Sequence, residues 1–216
     1  MAYLKRQTIP KNWPIPKKGT AYVVCPNFEK HLGLPILVVL RDILKVAATR
    51  KEVKKAINER LILRNNKEVR DDKNALVLLD TLSLVPSKKH YRLELSNKGK
   101  FELVEIKATE AGKKVSKVIN KKTLKGKKTQ INLIDGKNFI SEVKCDIGDS
   151  VLINLKDKKI EKCLPLKEKS KVLVFQGKHA GEKGVIKVLD KERKAVEISE
   201  GDKSIKVLNK QVIVIE

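Results

Sequence analysis

The sequence predicts an α+β chain: an extended basic arm, a small unit of two helices on a sheet, and two β-rich units behind it. Three observations carry that prediction. Pro10, Pro14, Pro16 and Pro26 crowd the first thirty residues, where they block helix and disfavour central strands. Apolar residues then recur at helical spacing from Ile36 to Ala47 and again from Val53 to Ile57. Beyond residue 60 the pattern turns to short apolar or alternating runs broken by Asn, Asp and Gly, as strands and tight turns require.

Composition narrows the function before any motif does. The 216 residues carry 49 Lys and Arg against 26 Asp and Glu, a formal net charge of +23. Such a charge points to a polyanionic partner rather than to an ordinary metabolic enzyme. Hydrophobic residues make up 41%, too many for a disordered basic tail. Apolar runs reach five residues, as in Ile36 to Leu40, whereas a membrane-spanning helix needs about 20, so no membrane is expected. No apolar stretch follows Lys5 and Arg6, so no signal peptide is expected. Cys25, Cys145 and Cys163 are odd in number and far apart, which fits neither a disulfide framework nor a zinc ribbon. Aromatics at 4% argue against an RNA-binding sheet that works by stacking bases across its face. A cytoplasmic, nucleic-acid-associated protein is left.

Each element has its own reason. The arm, residues 1–33, holds Lys5, Arg6, Lys11, Lys17 and Lys18, with Trp13 as the sole tryptophan. An extended basic arm that does not pack on itself packs on its own body or on a nucleic acid, and the RNA-contacting reading is favoured. Pro35 suits the first turn of a helix, and Ile36, Leu37, Leu40, Ile43, Leu44 and Ala47 share one face. Thr49-Arg50-Lys51-Glu52 is a capping-box pattern, in which Thr49 caps the next helix and Glu52 reaches back to the Thr49 amide. Along that helix Val53, Ala56 and Ile57 fall together, and Arg50, Lys51, Lys54 and Lys55 face the other way. Four cations on one face repel one another; a phosphate backbone relieves the repulsion and releases counterions.

Strands follow: Leu61 to Leu63 into an Asn65-Asn66 turn, Ala75 to Leu79, Leu82 to Val85, then Tyr91 to Leu95 paired with Phe101 to Ile106. Thr109 to Lys125 reads as a lysine-rich, helical interlude weakened by Gly112. Asp135-Gly136 marks a tight hairpin between Ile131 to Ile134 and Phe139 to Val143. Val151 to Ile153 is the next strand. Lys171 to Val174 and Val185 to Val188 flank a glycine-rich loop, Gly177 to Gly184, which lacks the Gly-Lys-Ser/Thr of a nucleotide-binding loop. Ala195 to Ile198, Ile205 to Leu208 and Val212 to Ile215 complete the strands.

These parts, in this order, resemble the S-four-e family of small ribosomal subunit proteins. Tyr3-Leu4-Lys5-Arg6 to Pro10-Lys11-Asn12-Trp13 is similar to that family's opening segment, with Tyr3 in place of a His and Gln7 in place of an apolar residue. Leu37 to Asp42 resembles the opening of its S-four-type RNA-binding domain. Asp135 to Asn138 and Gly148 to Val151 resemble its central domain, and Val172 to Ile186 a KOW motif, a piece of an SH3-like barrel. The C-terminus at Val214-Ile215-Glu216 is similar to the shorter archaeal form. The resemblance implies an arm (1–33), an S-four-type RNA-binding domain (34–90), a β-rich central domain (91–168) and a KOW domain (169–216).

What it implies for function is binding: a structural constituent of the small subunit, cytoplasmic, a monomer within the ribosome, touching small-subunit ribosomal RNA and neighbouring ribosomal proteins, with no small-molecule substrate and no cofactor. The expected rRNA contacts are Lys5, Arg6, Trp13, Lys17 and Lys18 on the arm, Arg41, Arg50, Lys51, Lys54 and Lys55 on the helix pair, and Lys178 and Lys183 in the KOW loop. Trp13 either stacks on RNA or anchors in the core, and the loop glycines shape a turn. Catalytic and metal roles have no support: His31, His90 and His179 have no ligand cluster at metal spacing, and the cysteines lack a nearby His. The rivals are an RNA-modifying enzyme with an S-four-type domain, such as a pseudouridine synthase, a free KOW-type transcription factor, and a nonspecific stress-related RNA binder. The first needs a catalytic Asp motif, and residues 90–216 offer none.

Overall fold

Proline keeps the arm out of helix, yet the arm does pack on itself. In the computed structural model, which describes residues 3–141, 143–190, 194–200 and 203–215, strands β1 (Tyr3–Lys5) and β2 (Tyr22–Val24) pair antiparallel. Strand alternation puts Leu4 and Val23 on one face, where both are buried. That apolar face is what the expectation of a self-avoiding arm left out. Between the strands Trp13 is buried, 2% exposed, and its indole N–H donates to the Lys30 carbonyl at 2.8 Å.

The chain divides into two compact units: residues up to Glu94 with Lys100–Gly112, and Leu95–Gly99 with everything from Lys113 onward. In the first, β3 (Gly33–Pro35) leads into α1 (Ile36–Val38), which runs on as a π-helical turn, Val39–Ile43. The helix expected to reach Ala47 stops there, and Lys45 turns to a left-handed φ of 54°. Every residue from Ile36 to Leu40 is buried, so this short helix is enclosed on all sides rather than amphipathic. Helix α2 (Arg50–Asn58) buries only Val53 and Ile57.

Strands β4 (Ile62–Arg64) and β5 (Lys67–Glu68) form the expected hairpin. Asn65 and Asn66, at φ of 50° and 58°, supply the left-handed turn that matches strand twist. β6 (Ala75–Val77) pairs with β3, and β7 (Thr81–Leu84), β8 (Lys89–Leu95) and β9 (Phe101–Ile106) complete a sheet of order β5-β4-β7-β8-β9. Asp80, fully buried, ties its corner together. It accepts from Arg64 Nε at 3.0 Å, Asn65 Nδ2 at 2.8 Å and the Val77 N–H at 2.9 Å.

The segment expected as a helical interlude is a correction. Only α3 (Ala108–Ala111) is helical, and Lys113–Thr123 is β10, an 11-residue strand. Lysine-rich sequence favours helix locally, but β10 hydrogen-bonds on both sides, and its paired neighbours override that preference. In the second unit β11 (Thr129–Leu133), β12 (Asn138–Ile140), β13 (Ser150–Asn154) and β14 (Lys159–Leu164) join it in the order β12-β11-β10-β13-β14. β12 ends short of the expected Val143; Glu142 lies outside the described residues.

A second sheet holds β15 (Lys171–Val174), β16 (Lys183–Asp190), β17 (Ala195–Glu200), β18 (Lys203–Leu208) and β19 (Val212–Val214), ordered β18-β17-β16-β15-β19. Val118, Ile131, Leu133, Val151 and Ile153 form one core cluster, and Val172, Val174, Ile186, Val196, Ile198, Val212 and Val214 lie in another. Two polar links join the sheets: Lys117 of β10 donates to the carbonyls of Asn209 and Val212, and the Val214 N–H donates to the Ser150 hydroxyl at 2.9 Å. The protein is thus mixed, mostly sheet with few helices.

Candidate nucleic-acid interface

The basic face of α2 rests on its cap and its buried stripe. The Glu52 N–H donates to the Thr49 hydroxyl at 3.3 Å, as a capping box requires. The Glu52 carboxylate accepts from the Ala48 N–H at 2.8 Å and from the Thr49 hydroxyl at 2.8 Å, with the expected Thr49 amide as a weaker donor. Those donors hold its carboxyl below the usual range. With Val53 and Ile57 turned inward, Lys51, Lys54 and Lys55 stand exposed on the outer side.

Arg50 belongs to that face by spacing but is engaged elsewhere. Its Nε donates to Asp72 at 2.6 Å, and the Asp72 side chain is 1% exposed. Burial is the largest single influence and raises the Asp72 carboxyl; hydrogen bonds from Arg50 and Asp71 with the Arg50 and Lys54 charges together outweigh it, and the group lies below its ordinary value. Arg41 makes a two-point pair with Asp42, at 3.0 and 2.9 Å. Lys55 has Glu59 one turn on, at 3.9 Å in open solvent, a pairing of little consequence.

On the arm, Lys5, Lys17 and Lys18 are exposed. Arg6 is committed internally: Nε donates to the Thr20 carbonyl at 2.6 Å, Nη1 to the Pro16 carbonyl at 2.7 Å and Nη2 to the Thr20 hydroxyl at 2.9 Å. It fastens the loop that presents Lys17 and Lys18. Trp13 is corrected by its burial: its ring sits in the core and its N–H is bonded, so the anchoring alternative holds.

Lys178 in the glycine-rich loop and Lys183, which opens β16 opposite Leu173, are exposed. Gly181 has φ of 98°, and a Cβ there would lie 1.9 Å from the Ser96 carbonyl oxygen, so glycine is required to shape the turn. Residues 95–99 and this loop therefore touch within the second unit.

The structure thus separates residues that the sequence placed together. Lys5, Lys17, Lys18, Lys51, Lys54, Lys55, Lys178 and Lys183 are exposed; Arg6, Arg41 and Arg50 hold neighbouring backbone or carboxylates; Trp13 is core. Sequence reading also left Lys114 and Lys117 undistinguished from surface lysines, though both are buried. Three residues apart on one strand, they point to opposite faces, so no alternation in the sequence marks both. Burial pushes the Cys163 thiol up, as do Cys145 and Asp149 beside it, which is the opposite of an activated nucleophile. Among the described residues no group of three His, Cys, Asp or Glu side chains is placed to hold a metal, and no helix is long and apolar enough to cross a membrane.

Comparison with known proteins places this arrangement. A family profile described as Ribosomal family S4e matches residues 87–160. The chain is 37% identical over 188 residues to small ribosomal subunit protein eS4 of Methanocella arvoryzae, covering 86% of this chain and 80% of that protein. It is 34% identical over 197 residues to the eS4 protein of Methanothermobacter thermautotrophicus, covering 90% and 81%. The crystal structure of 30S ribosomal protein S4e from Thermoplasma acidophilum superposes with a TM-score of 0.72 at 23% identity, over 85% of this chain and 94% of that one. On identity and coverage together, the chain belongs to the eS4 family of small ribosomal subunit proteins.

Proposed function

We propose that this chain is held on small-subunit ribosomal RNA by the outward lysines of α2, the arm and the glycine-rich loop. The observation that carries the reading is the lysine-rich outer face of α2, where Lys51, Lys54 and Lys55 are exposed and the helix is pinned from behind. Ammonium groups so placed neutralise phosphates and set orientation without reading base edges. As a member of its family the chain is a structural constituent of the small subunit in the cytoplasmic ribosome, not an enzyme, with rRNA and neighbouring ribosomal proteins as partners.

Within that role, residues 34–90 act as the S-four-type RNA-binding domain, 91–168 as the central domain, whose first strands complete the sheet of the first unit, and 169–216 as the KOW domain. Lys5, Lys17, Lys18, Lys51, Lys54, Lys55, Lys178 and Lys183 contact phosphate, while Arg6, Arg41 and Arg50 position them. The test is a sucrose gradient of cell lysate at moderately high salt. About 6–10 phosphate contacts lose roughly 10³–10⁵ in affinity between ~50 and ~200 mM salt, so an electrostatic hitchhiker washes off. One copy per small subunit is expected; the chain at the top of the gradient overturns the assignment.

A further inference from the structure

We propose that Tyr3 and Tyr22 form a stacking platform for an unpaired RNA base. The inference rests on the RNA-binding reading above and adds a site to it. Tyr3 is 58% exposed and Tyr22 53%, whereas every other aromatic side chain is buried or half-buried. Two exposed rings side by side leave burial energy unused, and the chain keeps both in one place.

Register puts them there. Tyr3 lies opposite Val24 and Tyr22 opposite Lys5, so Tyr3, Lys5 and Tyr22 share the outer face of the β1–β2 ribbon while Leu4 and Val23 hold the inner one. The rings are diagonal neighbours. Their centroids are 4.7 Å apart, with the planes inclined at 67°, edge to face. The pair is therefore ordered before any ligand arrives, which lowers the entropy lost on binding.

The surroundings select the occupant. Lys5 sits on the same face, and Lys17 and Lys18 stand on the loop that Arg6 fastens beside it. No acidic residue precedes Glu29 in the sequence, so the β1–β2 ribbon and the loop between its strands have no carboxylate to repel a phosphate. An aromatic surface with Lys5 on its own face and two more lysines on the loop that leads into β2 fits a nucleobase with its phosphates. Stacking on aromatics is sequence-tolerant, so the class is an unpaired base rather than one particular base. The low aromatic content argues against a sheet-wide stacking surface; a two-ring platform needs only this pair.

The test uses the full chain and two RNA hairpins of equal length and charge. One is fully paired; the other carries a single bulged 2-aminopurine, a fluorescent adenine analogue. The wild type is expected to prefer the bulged hairpin by about tenfold, since stacking contributes at that scale per base, and to quench the probe. Tyr3→Ala with Tyr22→Ala removes the preference and the quenching, and Tyr3→Phe with Tyr22→Phe keeps both. Trp13 emission reports the seating of the arm in each variant. A wild type that binds both hairpins equally overturns the platform, as does an alanine pair that leaves the preference intact and so marks the rings as a protein contact. A phenylalanine pair as impaired as the alanine pair also overturns it, because the hydroxyls would then be the contact. A wild type that binds neither hairpin sinks the RNA-binding reading itself, and the platform with it.

Discussion

Lys114 Nζ and Asp135 Oδ2 meet at 2.5 Å with both side chains 1% exposed, an ion pair enclosed between β10 and the β11–β12 turn. Asp135 also accepts the Lys137 N–H at 3.1 Å, so the carboxylate shapes the turn as well as balancing the charge.

Breaking such a pair leaves an uncompensated buried charge. Lys114→Met is expected to cost about 3–5 kcal/mol of unfolding free energy, read by urea titration. Lys114→Met combined with Asp135→Leu should cost less than the two single losses added together. A single-mutant loss under about 1 kcal/mol would show that the pair is hydrated in solution.

Lys117 predicts a pH dependence of known sign. Burial lowers its ammonium from the ordinary 10.5 to about 8. Between pH 8 and 10.5 the unfolded chain binds the extra proton, so stability rises with pH through that window and the penalty is complete below it. Urea midpoints from pH 7.5 to 10 should therefore climb more steeply in the wild type than in Lys117→Met. The substitution also removes the donor to the Asn209 and Val212 carbonyls. Parallel pH curves for the two proteins would be inconsistent with a buried ammonium.

On α2 the cations divide by role. Lys51→Glu with Lys54→Glu is expected to weaken RNA binding and to lower the salt slope by about 2, one per lost phosphate contact, without lowering the melting temperature. Arg50→Ala uncovers Asp72 and is expected to cost about 1–3 kcal/mol of stability. Thermal melts beside filter binding separate the two effects; a lysine pair that binds RNA as tightly as wild type at physiological salt removes this face from the interface.

Trp13→Ala should behave as a core truncation and cost about 3–5 kcal/mol. Trp13→Phe retains most of the packing and loses the bond to the Lys30 carbonyl, about 1 kcal/mol. Melts of both variants are the check. Full stability in the alanine variant, coupled with weaker RNA binding, would return Trp13 to the surface.

Much of this was legible because it is local. The Thr49 cap, the split faces of α2, the Asn65-Asn66 and Asp135-Gly136 turns and the period-two strands depend on neighbours within a few residues, and the structure has them. The Lys113–Thr123 strand was misjudged for the converse reason. Its lysines favour helix locally, and only partners 6 to 41 residues away, on β11 and β13, decide for sheet.

The candidate site divides the same way. Spacing alone put Lys51, Lys54 and Lys55 on an outer face. It could not separate them from Arg50, because Asp72 approaches from another element, nor free Lys17 from committed Arg6, because the Pro16–Thr20 loop folds back on the guanidinium. Trp13, which the sequence left between stacking and anchoring, is core, and Tyr3 and Tyr22 are the exposed aromatics.

By itself, then, the sequence determined the charge, the basic helix, the turns and the β-rich order, since charge is a sum over residues and periodicity acts within one element. The tertiary structure alone decided which cations remain in solvent, which are buried at Lys114 and Lys117, and which rings face outward at Tyr3 and Tyr22. Those outcomes follow from long-range contacts, because burial changes the energy of a charge or a ring only when a distant segment closes over it.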